Sequence, residues 1–353
     1  MDMKHRFLCL FISSLLASTT ALAQVNTTSI ESYFEIVETL KQDKDPAPQV
    51  WQAFFEQTGN QLVLKGYRRG ESFRDTLKSL IQLVYMPSKR GQLQNTQVNF
   101  ILENILYTHD HEAAIKEHLA FVKEGGLLDS MYGLAYRYLP ADRQKKVKNL
   151  VVYYIGPLAL DSRALNDTLY INTTMEARFF PKRTVYIGAH ELHHILLGSE
   201  TSYKSMTADQ ARYAGITIVA NSLLREGVAD LIDKKHFQLS ANDTIYRPLM
   251  EKSLQESDSM IVKLNTELER LATAPNKPAQ LRSFMSRGGH TPGQHMALVI
   301  ERNGYLPELL NNIRNPFAFL YIYNKAAQID AQKPARFSPA AIAFLQRVEK
   351  LFP

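Results

Sequence analysis

The residues best suited to chemistry stand together at His190-Glu191-Leu192-His193-His194. On an α-helix, at about 100° per residue, His190 and His194 fall one turn apart on the same face, so both imidazoles can reach one metal ion. Glu191 is angled to reach a water on that metal, which is the spacing that zinc hydrolases use. Ile187, Leu192, Ile195, Leu196 and Leu197 make the surrounding helix apolar. Histidines buried in such a helix need partners, and a metal provides them. His193 stands three residues from His190 and could compete as a ligand, but the geometry of Glu191 goes with the four-residue spacing. It is expected to line the cleft or meet a supporting carboxylate.

A catalytic zinc usually takes three protein ligands and a water. His194 is followed by Ile-Leu-Leu-Gly-Ser-Glu-Thr, without the third His and Gly of the metzincin pattern. The better candidate for the third ligand is Glu226, within Leu223-Leu224-Arg225-Glu226-Gly227-Val228-Ala229-Asp230. An isolated carboxylate inside that apolar helix would be costly; the alternative is an ion pair with Arg225 or Lys234. Asp230 lies one turn further on the same face. It can accept the second ring N–H of a ligating histidine and so fix its tautomer. In such a site Glu191 acts as general base toward the attacking water and returns the proton to the leaving nitrogen. The oxyanion that develops needs a further donor. Candidates are His290, Tyr203, Tyr305, Tyr321 and Tyr323, and His290 in the Gly288-Gly289-His290-Thr291 loop is preferred. The pair His109-Asp110-His111 projects to one side only on a strand. Here it opens a helix with Asp110 as its cap, so a structural role is expected.

His190-Glu191-Leu192-His193-His194 followed by Glu226-Gly227-Val228-Ala229-Asp230 resembles the gluzincin metallopeptidases, the group that includes thermolysin-like enzymes. With Thr291-Pro292-Gly293-Gln294-His295-Met296-Ala297, Asn315-Pro316-Phe317 and Tyr323-Asn324-Lys325-Ala326, the chain is more narrowly similar to a family of zinc-dependent peptidases of exported bacterial proteins, defined as a domain of unknown function. The resemblance covers roughly Val151 to Ala327. It implies zinc held by His190, His194 and Glu226, with Glu191 as general base and a peptide or protein as substrate. Two rivals remain open: a non-catalytic helical binding or scaffold protein that keeps a zinc site, and a zinc hydrolase of a non-peptide amide.

These residues need a frame. Leu150–Ile155 and Thr168–Ile171 are β-branched and aromatic runs bounded by Gly156-Pro157 and Asn166-Asp167, which predicts two strands joined by a loop. A helix follows from about Thr184 to Leu197, closed by Gly198. Long helices are predicted over Ile216–His236 and Thr244–Ala272, with a linker at Thr273–Pro278 and more helices to Phe352. The strand Thr168–Ile171 is expected at the edge of the cleft, where an extended peptide could pair with it. Before the strands, Ser29 to Asn149 shows helical periodicity broken by Pro46, Pro48, Gly59, Gly70, Pro87, Gly91, Gly125-Gly126 and Pro140, the pattern of short bundled helices. The expected fold is mainly α with a small β element (α+β), carrying a zincin-like active-site helix pair. The division is 1–23, 24–149 and 150–353.

The first of those segments is a leader. Lys4, His5 and Arg6 precede an apolar run from Phe7 to Leu16, and Ala21-Leu22-Ala23 precedes Gln24, the layout of a secretory signal cleaved after Ala23. Cleavage removes Cys9, the one cysteine. The mature chain would enter the periplasm or the medium without disulfides and without an integral membrane segment, and any metal must be ligated by His and carboxylate. Lys and Arg total 41 against 35 Asp and Glu. That excess is too small and too dispersed to imply a nucleic acid partner.

Overall fold

The computed structural model describes residues 24–66, 70–158, 161–180, 183–198, 206–237, 246–274 and 286–352. The leader with Cys9, Tyr203 and most of the expected linker lie outside these residues. The described residues are 70% helical with a four-stranded sheet, the mainly α architecture that the patterning predicts.

Strand β1 (Gln24–Asn26) leads into seven helices: α1 (Thr28–Leu40), α2 (Pro48–Glu56), α3 (Thr58–Gly66), α4 (Glu71–Tyr85), α5 (Phe100–Asp110), α6 (Glu112–Lys123) and α7 (Leu127–Tyr136). Then come β2 (Val151–Ile155), β3 (Arg163–Leu165) and β4 (Thr168–Asn172), followed by α8 (Thr173–Phe179), α9 (Tyr186–Leu197) and α10 (Ala208–Asp230). The rest is α11 (Tyr246–Thr273), α12 (His290–Arg302), α13 (Leu306–Asn311), α14 (Pro316–Ile329) and α15 (Pro339–Glu349). His109-Asp110-His111 falls at the junction of α5 and α6, where His111, not Asp110, is the capping residue. His109 Nδ1 meets Asp110 at 2.7 Å, and His111 Nδ1 meets the Tyr107 carbonyl at 3.1 Å.

The sheet order is β1-β2-β4-β3, with β1, β2 and β4 parallel and β3 antiparallel to β4. The segment expected as a loop between two strands therefore contains a third. Asn166, at φ 52°, turns the chain back on itself, and Arg163–Leu165 covers the outer side of β4. The edge of the sheet on this side is β3, which corrects the expectation that Thr168–Ile171 would be free to pair with a peptide there. Leu169, Tyr170 and Ile171 are accordingly buried, as a strand paired on both sides requires. Asn172 ends β4 and caps α8, its side chain accepting from Met175 N at 3.1 Å.

Helix α9 packs against β3, β4, α7 and α10. Its Gly188 lies so close to α7 that a Cβ there would stand 2.2 Å from Met131 Cε. Gly198, at φ 93°, closes the helix. Helix α10 begins at a capping box, in which Thr207 Oγ1 and Gln210 exchange bonds with each other's backbone, earlier than the apolar periodicity predicts. It ends at Asp230 instead of continuing to His236; a turn through 231–233 and a short 3-10 segment, Lys234–His236, bring the chain back toward α9.

One hydrophobic cluster joins residues of both halves of the sequence, from Ile30, Phe54 and Met131 to Leu192, Leu223, Val299 and Phe344. Helices α10 and α12 approach each other backbone to backbone. A Cβ on Gly227 would fall 2.4 Å from the Gly293 carbonyl oxygen, and one on Gly293 would fall 2.5 Å from that of Leu223. The two helices touch through bare backbone. Replacing Gly227 by Ala should force them apart and cost about 1–3 kcal/mol through overpacking. Thermal unfolding should show a lower Tm, and an unchanged Tm would mean that the contact has slack.

Candidate metal centre

Four elements meet at one end of a cleft of about 610 Å³. Helix α9 brings His190, Glu191 and His194; α10 brings Glu226 and Asp230; the turn beyond α10 brings Asp233 and Lys234; and α12 brings His290. The lining also includes Asp161, Arg163 and Ala164, at and just before the edge strand β3, with Met175, Ile187 and Phe237 as its apolar part. His290 is the first residue of α12, where the sequence suggests a loop. Gly288 and Gly289 take φ of 75° and 105° and turn the chain directly into the helix, with Gly289 pressed against Ser222 of α10.

The Nε2 atoms of His190 and His194 lie 3.2 Å apart. Glu226 Oε2 stands 3.3 Å from His194 Nε2 and 3.6 Å from His190 Nε2. A tetrahedral zinc with bonds of about 2.0–2.1 Å sets its ligand atoms about 3.3 Å apart, so these three atoms fit one ion. Glu226 Oε2 is also buried without a hydrogen-bond partner. A buried carboxylate oxygen in that condition is costly unless a cation satisfies it.

Asp233 Oδ1 faces His190 Nδ1 at 3.1 Å. With the proton on Nδ1, the Nε2 lone pair points toward His194 and Glu226. Asp230, expected to support a ligating histidine, stands 3.7 Å from His190 Nδ1 and accepts instead from His290 Nδ1 at 3.0 Å. His290 Nε2 is then 3.4 Å from Glu226 Oε2. Glu226, Asp230 and Asp233 fall at i, i+4 and i+7, so a helical reading carried one turn further reaches Asp233 as well.

Arg225, which the sequence offers only as an ion-pair partner for its neighbour, bonds backbone. Its guanidinium donates to the carbonyls of His194 at 3.1 Å and Gly198 at 2.6 Å. It thereby ties the C-terminal end of α9 to the turn of α10 that carries Glu226. Burial pushes the Glu191 carboxyl above its usual pKa, against the pull of His190 and His194, which makes it a stronger base. His193 is fully buried and turned away from the cleft toward the Tyr138 carbonyl, 3.1 Å from its Nε2. Burial, with His194 nearby, holds its pKa down to about 3. Tyr321 bonds Glu349 and Tyr323 bonds the Ala335 carbonyl. Neither these two nor Tyr305 lines the cleft.

Two imidazoles one helical turn apart, a carboxylate from a second helix and an open cleft beside a sheet edge form the kind of arrangement that mononuclear zinc hydrolases use. Residues 51–332, well over half of the chain, match a family model described as "Putative zinc dependent peptidase (DUF5700)", and the chain belongs to that family. Zinc is its cofactor, and membership points to hydrolysis of peptides. The match begins about a hundred residues before the resemblance read from the motifs, and so takes in most of the N-terminal helices. No curated protein and no solved structure matches the chain.

Asp233→Asn should weaken zinc binding about 10–100-fold by removing the acceptor that fixes the His190 tautomer. Competition with a chromogenic chelator measures it, and unchanged affinity would mean that His190 is oriented by another group.

Proposed function

We propose that this chain is a gluzincin-type metallopeptidase of the HExxH class, exported after cleavage at Ala23. In this reading residues 24–149 buttress a site carried by residues 150–353, and His190, His194 and Glu226 hold the zinc. The observation that carries the proposal is the convergence of three ligand atoms at 3.2–3.6 Å with Glu226 Oε2 left otherwise unpaired. When bound, zinc supplies Lewis acidity, lowering the pKa of a water toward neutrality and polarising a carbonyl.

The chain's own groups do the rest. Glu191 takes the proton from the attacking water and passes it to the leaving nitrogen. His290, gripped at Nδ1 by Asp230, presents Nε2 from the side of Glu226 and donates to the oxygen on which negative charge develops. Burial works against charge on the His290 imidazole, and Asp230 and Glu226 outweigh it, so its pKa is raised, in the direction that favours a proton on Nε2. Strand β3 lies at the sheet edge beside the cleft, where Arg163 and Ala164 line it and an extended peptide could run alongside.

The scaffold alternative calls for a closed, four-ligand site, for which His290 is a nearby candidate among the described residues. Its Nε2 approaches Glu226, but it does not join the set in which His190, His194 and Glu226 stand mutually close.

Glu191→Gln should abolish cleavage of a peptide library while zinc content stays at one per chain; retained cleavage would remove Glu191 as the base. Glu226→Ala should empty the site, and full zinc occupancy in that variant would remove Glu226 as a ligand. His290→Ala separates the remaining readings. It should keep zinc and lower kcat about 10²–10³-fold, as loss of an oxyanion donor does, whereas loss of zinc would make His290 a fourth ligand and favour the scaffold.

A further inference from the structure

His190 offers two ring nitrogens to a cation, and the structure gathers a second group of possible ligands around its Nδ1 edge. His190, Asp230 and His290 each place a ligand atom within 4.8 Å of the others. Asp233 adds a further carboxylate at 3.1 Å from His190 Nδ1. By donor type alone, this corner suits a divalent ion as well as the Nε2 corner does. It differs in one respect, because a cation already stands there. Lys234 Nζ lies 2.6 Å from Asp233 Oδ2 and 3.7 Å from Asp230 Oδ1, with a side chain only 16% exposed.

We propose that Lys234 is a positioning residue whose ammonium stands in place of a second metal ion. It fills the corner between Asp230 and Asp233 and leaves the corner of His190 Nε2, His194 Nε2 and Glu226 as the one site for zinc. The inference rests on the metal assignment proposed above and extends it. Three physical steps support it. A dication bonded to Asp230 would sit within about 6 Å of Nζ, in a poorly hydrated region where like charges repel strongly. With the ammonium shared between them, the two carboxylates remain acceptors for the Nδ1–H groups of His290 and His190. Each bound Nδ1–H then directs the opposite nitrogen of its ring toward Glu226. Lys234 stands four residues after Asp230, the spacing of a helical ion pair, so its ammonium returns to that carboxylate.

The test counts metal. The full chain is dialysed to equilibrium against buffered Zn²⁺ and its zinc is measured, with circular dichroism confirming the fold. Wild type and Lys234→Arg should hold one zinc. Lys234→Met, and Lys234→Gln in case the Met variant does not fold, should hold two at the same free zinc concentration. The second should be lost again when Asp230→Asn is added to either. One zinc in a folded Lys234→Met or Lys234→Gln protein, whatever its activity, overturns the proposal, as does a second zinc in Lys234→Arg. Glu226→Ala with Lys234 intact serves as the separate control. If it keeps its zinc, the assignment of the Nε2 corner has failed, and that failure is distinct from the outcome at Lys234.

Discussion

Helices α10 and α12 meet through backbone at Gly227 and Gly293, and the charged end of the cleft depends on that contact. Glu226 immediately precedes one of these glycines, and Asp230 lies one turn beyond. On the other helix His290 stands three residues before Gly293. A side chain at either glycine would hold the helices further apart, and the 3.0 Å bond between His290 and Asp230 would be the first interaction lost. The small residues are therefore part of the site, although neither carries a functional group. Arg225 does for α9 what the glycines do for α12. Its bonds to the carbonyls of His194 and Gly198 set the height at which Glu226 faces the histidines. Three helices are thus fixed to each other within one turn of the same carboxylate.

Such precision is needed because the cluster concentrates buried charge. His190, Glu191, Asp230 and Asp233 are all less than a tenth exposed, and burial alone would drive each of them toward its neutral form. Pairing reverses this for His190 and Asp233. His190 is held well above its usual pKa because Asp233, bonded to Nδ1, outweighs its burial, and Asp233 is held down by Lys234 and His190. Glu191 is the exception. It has no ion-pair partner at hydrogen-bond distance among the described residues, and its pKa moves up. A carboxylate raised in this way beside others that are pinned down is what separates a base from ligands and their supports.

Much of this site is legible in the sequence, because helical spacing is a strong constraint. His190 and His194, and then Glu226 and Asp230, each stand one turn apart, and the structure brings all four to one place. Asp233 obeys the same arithmetic one turn further and was within reach of it. Lys234, four residues after Asp230, obeys it too; what the sequence does not announce is the end of the helix at Asp230, since Leu231-Ile232-Asp233-Lys234 contains no breaker. The sheet edge was misplaced for a related reason. Arg163–Leu165 is only three residues long, too short for alternation to register, so β4 seemed to have a free side that β3 in fact covers. His193 is polar by composition, yet its environment is decided by which face of α9 packs toward Tyr138, a contact between residues 55 positions apart.

That last contact bears on the first half of the chain, whose sequence carries few chemical cues. Helix α9 has two sides. One presents His190 and His194 to the cleft; the other rests on residues that precede the sheet, with Gly188 against Met131 and His193 bonded to the Tyr138 carbonyl. Tyr138 also donates to Glu301 of α12 and receives a bond from Lys235, next to Lys234. A single residue of the N-terminal half therefore touches the active-site helix, the helix that begins with His290 and the turn that carries the buried lysine. Removing the helices before β2 would expose the apolar back of α9 and release three of the elements that must converge to within an ångström of the right place. The family match, which begins at residue 51, takes in Met131 and Tyr138, the residues on which the back of α9 rests.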